Sequence, residues 1–318
     1  MTAVLALSAA ALIIAVLVFP WVIGLLARAR IGQQIREEGP AAHLAKAGTP
    51  TAGGIVFLAV AVLLYLVADR TAAGGLVVLA LVLGGALGFV DDFSAIRGAR
   101  NLGLKARQKI VAQLLIGALL GYLAIRWNLT RQLVPFDGWR VLGGWIVVVG
   151  AVAFAAGSNA FNLTDGSDGL AAGAGAISFG ALALVAVLQH RPSTGLMAAI
   201  LAGVLVGFLF YNLYPARIFM GDTGSLALGT AMVAAAIVTG FLWYLPLLAV
   251  VFVVETVSVI VQVASFKMTG KRVIKMSPLH NHFIVSGWRE SRIAATFWAG
   301  SLVAALLTVA IARPGSIG

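Results

Sequence analysis

Two aspartates stand side by side where a long apolar run stops. Leu76 to Val90 holds no charged residue, and "GFVDDFSAIRG" (88–98) then places Asp91 and Asp92 at its mouth. Other acids have similar settings. "NAFNLTDGSDGLAAG" (159–173) carries Asp165 and Asp168 in a short polar interruption, and "YNLYPARIFMGDTGSLALG" (211–229) carries Asp222 between Gly221 and Gly224. A single aspartate at such a point reads as a boundary residue. Five that converge on one face repel one another unless a cation sits among them. A hard, oxygen-liganded ion suits that set, and magnesium accepts one or two carboxylates completed by water and substrate phosphate. The chain has no cysteine, which excludes a thiolate nucleophile, a disulfide framework and a Cys-ligated metal. His280 and His282 alternate too closely for a zinc pair and lack ligand partners nearby in the sequence.

Basic residues occur in matching segments. "KAGTPTAGG" (46–54) brings Lys46 and Thr51, and "NLGLKARQK" (101–109) brings Arg107 and Lys109. Glycine permits close backbone approach, and a helix N-terminus favours anionic groups. Carboxylates for a metal beside cations for phosphates make the combination that phosphoryl transfer needs, because positioning and charge neutralisation supply most of its catalysis.

The elements that must carry these residues are apolar. Of 318 residues, 61% are hydrophobic and only 10% charged, with a mean hydropathy of +1.03. A soluble domain carries roughly twice that charged fraction, so this is an integral membrane protein. The formal charge of +11 would suggest nucleic acid in a soluble protein; here its distribution across the bilayer matters instead, and no nucleic-acid partner is expected. Runs long enough to cross a hydrocarbon core of about 30 Å fall at 3–26, 51–69, 74–92, 110–127, 141–161, 169–189, 195–214, 223–241, 245–265 and 293–312. The first lacks a basic leading segment and exceeds the usual signal-peptide core, so it is read as a span. The expectation is an all-α polytopic protein of about ten transmembrane helices, one domain over 1–318, without internal repeats. Glycines four apart, Gly84/Gly88, Gly169/Gly173 and Gly203/Gly207, are read as helix-packing positions.

Ten spans divide the loops into two sets. One set, 27–50, 93–109, 162–168, 215–222 and 266–292, holds 16 of the 22 Lys and Arg residues. That excess marks the cytoplasmic side, places both termini outside and puts the paired aspartates, Asp165, Asp168 and Asp222 on the cytoplasmic face. Glu37, Glu38 and Glu290 fall in the longer cytoplasmic loops and read as solvated charges. Glu255 lies inside an apolar span, where an ionisable group must face the bundle interior and find a partner; Gln262, two turns on, is the candidate.

With these motifs in hand, the chain resembles the bacterial phospho-N-acetylmuramoyl-pentapeptide transferases, within the polyprenyl-phosphate N-acetylhexosamine-1-phosphate transferase superfamily. The likeness runs nearly end to end, from "KAGTPTAGG" through "GFVDDF", "NLGLKARQK", "NAFNLTDGSDGLA" and "YNLYPARIFMGDTGSL" to "KMSPLHNHFIVSGWRE". The resemblance implies transfer of a phospho-sugar-pentapeptide from UDP-N-acetylmuramoyl-pentapeptide to undecaprenyl phosphate in the bacterial plasma membrane, yielding lipid I and UMP. It also implies a cytoplasmic active site and Mg2+ dependence, with a homodimer common in the family. By the same resemblance Asp91, Asp92 and Asp222 are the catalytic carboxylates, with Asp91 preparing the lipid phosphate. Asp222 matches the magnesium ligand, Asp91 and Asp92 being further candidates. Lys46, Thr51, Asn162, Asp165, Asp168, Asn212 and Phe219 match positions lining the nucleotide site, Phe219 as the ring for uracil. Gly221, Arg107, Lys109, His280 and His282 complete the substrate-binding set. The chain departs from the family pattern at Asn281, between the two histidines, and at Phe93 and Ala95.

A sister enzyme would transfer N-acetylglucosamine-1-phosphate, but its branch carries a differently spaced histidine cluster than residues 275–290. A secondary transporter would place its acids at the bilayer midplane between inverted repeats, whereas here only Glu255 is at midplane. The charge asymmetry yields a direct prediction. Reporter fusions within 27–50, 93–109 and 266–292 should all report the cytoplasm, and an external signal from 266–292 would overturn the site assignment.

Overall fold

The computed structural model describes residues 1–29, 32, 46, 48–97 and 103–312. Arg30, Arg36, Glu37, Glu38, Arg100 and Arg313, counted above, lie outside the described residues. The chain forms α1 (Thr2–Arg28), α2 (Gly54–Leu64), α3 (Ala72–Arg97), α4 (Ala106–Arg126), β1 (Arg131–Val134), β2 (Gly138–Val141), α5 (Trp145–Thr164) and α6 (Leu170–Leu188). It continues through α7 (Leu196–Asn212), α8 (Gly221–Thr239), α9 (Leu245–Leu248), α10 (Val250–Thr269), α11 (Leu279–Val285) and α12 (Glu290–Ile311). Among the described residues, nine helices are long and apolar enough to cross a membrane: α1, α3–α8, α10 and α12.

The structure departs from the expected ten spans at 51–69. There α2 and a π-helical turn (Tyr65–Asp69) make one apolar helix over Gly54–Asp69, shorter than the other nine. Its leading residues are committed elsewhere. The amides of Gly53 and Gly54 donate to the carbonyls of Phe219 (2.9 Å) and Met220 (3.0 Å), while the Phe219 amide donates to Pro50 (2.8 Å). The all-α expectation also needs amendment, since the α4–α5 connection is an antiparallel hairpin pairing Arg131 with Val141 through Val134 with Gly138. It is fixed to the bundle by the Leu133 amide on the Gly240 carbonyl (2.8 Å) and by buried Gln132, which binds the Ile237 carbonyl and the Leu242 amide.

Helix α8 is the centre of the bundle. Every residue from Thr223 to Thr239 is buried, which its small side chains allow on all sides at once. Its most extensive partner is α3, followed by α5. A Cβ at Gly84 would stand 2.7 Å from the Leu226 carbonyl oxygen, and one at Gly88 would overlap the Asp222 carbonyl, so both glycines are needed for the helices to touch. On the other side, a Cβ at Gly157 of α5 would lie 3.1 Å from the Gly229 oxygen. The other glycine pairs also serve packing. Gly203 and Gly207 seat α7 on α1, and Gly173 makes room for the Trp298 ring of α12. Such contacts hold membrane helices together, because lipid tails remove the hydrophobic drive for helix association.

A Gly88→Ala substitution is expected to destabilise by about 1–3 kcal/mol, the range for overpacking, because its Cβ meets backbone that cannot rotate away. Gly180→Ala, whose Cβ meets nothing within 4 Å, is the control. Thermal unfolding in detergent should separate the two; equal midpoints would remove the α3–α8 crossing as the critical contact.

Candidate active site

The close crossing of α3 with α8 determines where the first pair of carboxylates goes. One turn past Gly88, Asp92 reaches the N-terminus of α8, where it accepts the amides of Asp222 (3.2 Å) and Thr223 (3.0 Å) and the Thr223 hydroxyl (2.7 Å). These amides have no partner inside their own helix, and a carboxylate there also complements the helix dipole. Gly221, at φ +70°, turns the chain into α8 beside Asp92 and Thr51; a Cβ there would lie 3.0 Å from each side-chain oxygen.

With α8 anchored, Asp222 faces the start of α4 and the end of α5. Lys109 donates to Asp222 Oδ2 at 2.7 Å and to Asp91 Oδ2 at 3.0 Å, bridging the two carboxylates. Asp91 Oδ1 accepts the Leu104 amide (2.8 Å), and Asn162 donates to Asp222 Oδ1 (2.8 Å) and to the Ser225 hydroxyl (2.9 Å). One turn deeper, Gln113 donates to Ser158 (3.1 Å) and accepts from Asn159 (2.6 Å), which fixes α4 against α5 beneath Lys109 and Asn162. Adjacent helical residues point about 100° apart, and Asp91 and Asp92 accordingly do different things.

A second polar cluster stands at the same end of the bundle. Lys46 donates to Asp168 Oδ1 and Glu290 Oε2, both at 2.6 Å, and its ammonium lies 5.8 Å from the centre of the Phe219 ring. Asp168 also accepts the Ala216 amide (2.9 Å). Asn212 accepts the Gly169 amide (3.1 Å) and donates to the Ile218 carbonyl (2.9 Å), joining the 165–169 turn to the segment that carries Phe219. Asp165 lies within electrostatic reach of both clusters. Burial, then the Asp222 carboxylate, push its carboxyl well above the ordinary range; for Asp168 burial also raises the pKa, with Lys46 opposing.

Asp91, Asp92, Asp222, Lys109, Asn162, Gly221 and Thr51 therefore meet in one cluster, and Lys46, Asp168, Asn212 and Phe219 in the other. Three expected residues stand apart from both. Arg107 is exposed and has no ion pair among the described residues. His282 accepts the Lys275 amide (3.2 Å) through Nδ1. His280 is buried at 1% exposure, with its Nδ1 3.2 Å from Glu255 Oε2, its amide 3.1 Å from Glu255 Oε1, and its Nε2 against Gly166. The partner of Glu255 is thus His280 and not Gln262, which instead binds the backbone of Val273 and Ile274. The cause is Gly270, whose φ of +69° turns the chain back along α10 and brings α11 down to the depth of Glu255. Phe93 stacks on Phe89 (6.1 Å between ring centres), both exposed on the outside of α3.

Glu290 corrects the reading of that residue as a solvated charge. It is 6% exposed, and its Oε2 accepts Lys46, the Ser167 hydroxyl (2.9 Å) and the Asp168 amide (2.9 Å). Its place in the "GW-x-E" segment of the family pattern was the available signal; its partners are 122 to 244 residues away.

Fold and site define a polytopic membrane protein whose polar residues gather into two lysine–carboxylate clusters at one end of an apolar helix bundle. Residues 74–240 match the glycosyl transferase family 4 model. The chain is 46% identical to the phospho-N-acetylmuramoyl-pentapeptide-transferase of Desulforudis audaxviator, over 98% of each chain. It is 45% identical to that of Heliobacterium modesticaldum over 95% of each, and 44% identical to that of Geobacillus thermodenitrificans over 95% of this chain and 96% of the relative. The chain belongs to glycosyl transferase family 4, and within it to the phospho-N-acetylmuramoyl-pentapeptide transferases.

Proposed function

We propose that this protein transfers phospho-N-acetylmuramoyl-pentapeptide from its UDP-linked precursor to undecaprenyl phosphate, giving lipid I and UMP. In the net reaction an oxygen of the lipid phosphate becomes bonded to the sugar-bearing phosphorus, and the bond from that phosphorus to UMP breaks. The observation that carries this reading is the adjacency of two chemically different clusters. One presents carboxylates more open to solvent, suited to a divalent cation and through it to phosphates; the other presents an aromatic ring beside a lysine held between two closed-off carboxylates, suited to a nucleobase. The 50–54 segment, hydrogen-bonded along 219–220, joins them at a fixed distance. A membrane-anchored phosphate and a water-soluble nucleotide can meet only at a span's end, which is where the clusters stand.

Magnesium fits this donor set. Asp222 and Asp91 turn hard oxygens toward one cationic position, which Lys109 bridges, and two carboxylates are what magnesium takes when substrate phosphates complete its shell. Asp222, with Asp91, would hold the ion, which supplies charge neutralisation for the phosphoryl group. Asp92 is left out of that set, because both of its oxygens are held by amides fixed at the α8 N-terminus, whereas Asp222 and Asp91 each give one oxygen to the Lys109 side chain, which can move aside. Lys109 would then add a positive charge beside the transferred group, and Asn162 would orient Asp222. Asp91 serves as a positioning group in this scheme. One of its oxygens is held by the Leu104 amide and the other faces the position shared by Lys109 and the ion, and a lipid phosphate with a second pKa near 6 is already mostly dianionic at neutral pH.

Purified protein supplied with both substrates should turn over only when magnesium is added, and UDP-N-acetylglucosamine should not replace the pentapeptide precursor. Asp222→Asn should lose about a hundredfold or more in turnover at an unchanged unfolding midpoint; near-normal turnover would assign the cation elsewhere. Asp91→Asn should lose the same factor at pH 6.5 and at pH 9. A smaller loss at pH 9, where hydroxide can deprotonate the phosphate, would instead make Asp91 a general base.

A further inference from the structure

We infer that Glu290 is a positioning residue for nucleobase recognition: through Lys46 and the 167–168 turn it sets the surroundings of the Phe219 ring for an uncharged ring and against phosphate. This rests on the nucleotide reading of the site given above. One oxygen of Glu290 gathers three donors from two distant segments: Lys46 Nζ, the Ser167 hydroxyl and the Asp168 amide. Lys46 is thereby held between two carboxylates, Asp168 and Glu290, whose side chains are 2% and 7% exposed. With both ionised, the cluster of one ammonium and two carboxylates sums to a single negative charge. A diphosphate is repelled by such a cluster, although a lysine beside a nucleotide would ordinarily read as a phosphate ligand.

A planar, neutral base with donors and acceptors on its edge is the matching occupant. It can lie on the Phe219 ring, beside a Lys46 ammonium that Asp168 and Glu290 hold in place. Glu290 sits on the first turn of α12, 244 residues from Lys46, so it braces Lys46 and the 167–168 turn from outside the segments that carry them. Without the Glu290 charge, Lys46 keeps one charged partner and the Ser167–Asp168 turn is left with a neutral amide oxygen as its acceptor. The ammonium is then free to take a phosphate, and the preference for a base declines.

The test is binding of uridine, UMP and inorganic pyrophosphate to the full-length protein in detergent, with steady-state kinetics for both substrates. Glu290→Gln should weaken uridine and UMP by the same factor, about tenfold or more. It should raise KM for the UDP-linked substrate to match, and leave KM for the lipid phosphate unchanged. Pyrophosphate should bind no worse than to the wild type, and Glu290→Asp should recover part of the uridine affinity. Wild-type uridine affinity in Glu290→Gln, or an equal rise in both KM values with a lowered unfolding midpoint, would overturn the inference and leave Glu290 a structural brace. Failure of the wild-type protein to bind UMP would overturn the nucleotide reading itself, and this inference with it.

Discussion

The backbone contact between α3 and α8 is the constraint from which the site follows. Gly84 and Gly88 bring the two helices within van der Waals reach of each other's main chain. At that separation Asp92 can satisfy the first amides of α8, which would otherwise end unpaired near the edge of the bilayer. Asp222, next on α8, is then held facing α4 and α5, and Lys109 and Asn162 reach it at hydrogen-bond distance. A wider crossing would leave Asp92 short of the amides and Asp222 without a fixed direction. Small residues that resemble inert filler therefore determine the geometry of the charged ones.

Charge pairing explains why so many ionisable groups can gather at one end of an apolar bundle. Asp91 and Asp222 share Lys109, Asp168 and Glu290 share Lys46, and Glu255 takes His280. Removing one partner from such a pair leaves a poorly solvated charge, which costs more than the pair contributes when intact. Each cluster carries more carboxylate than ammonium. The Lys109 cluster is open enough for Asp222 to remain 26% exposed at its side chain, while Asp168 and Glu290 are almost closed off. The more open carboxylates suit an incoming cation with phosphates, and the closed ones suit a rigid wall.

Glu255 shows the same rule acting on the last loop. A carboxylate at 0% exposure within α10 needs a donor, and α11 folds back to supply two from His280. His280 Nε2 then rests against Gly166, between Asp165 and Ser167, so an acid buried in a span steadies the turn that borders both clusters.

Much of this was legible in the sequence. Apolar runs of fixed length located the nine long helices, because a hydrocarbon core admits little else. Acids at the ends of those runs pointed to the two clusters, because ionisable groups are too costly in lipid to persist there without a partner or a task. The end-to-end family motifs singled out Lys46, Asn162, Asp168 and Phe219, which the fold brings into the two clusters. Partnership was not legible. Gln262 was the nearest polar residue along the helix from Glu255, yet a glycine turn made His280 the partner. Glu290 read as a solvated charge until α12 brought it to Lys46. Asp91 and Asp92 were indistinguishable as neighbours until the α3–α8 crossing gave one to a helix terminus and the other to Lys109. Transfer energies and periodicity act on each segment alone and are written locally. Hydrogen-bond partners depend on distances between segments more than a hundred residues apart, and only the packed bundle sets those.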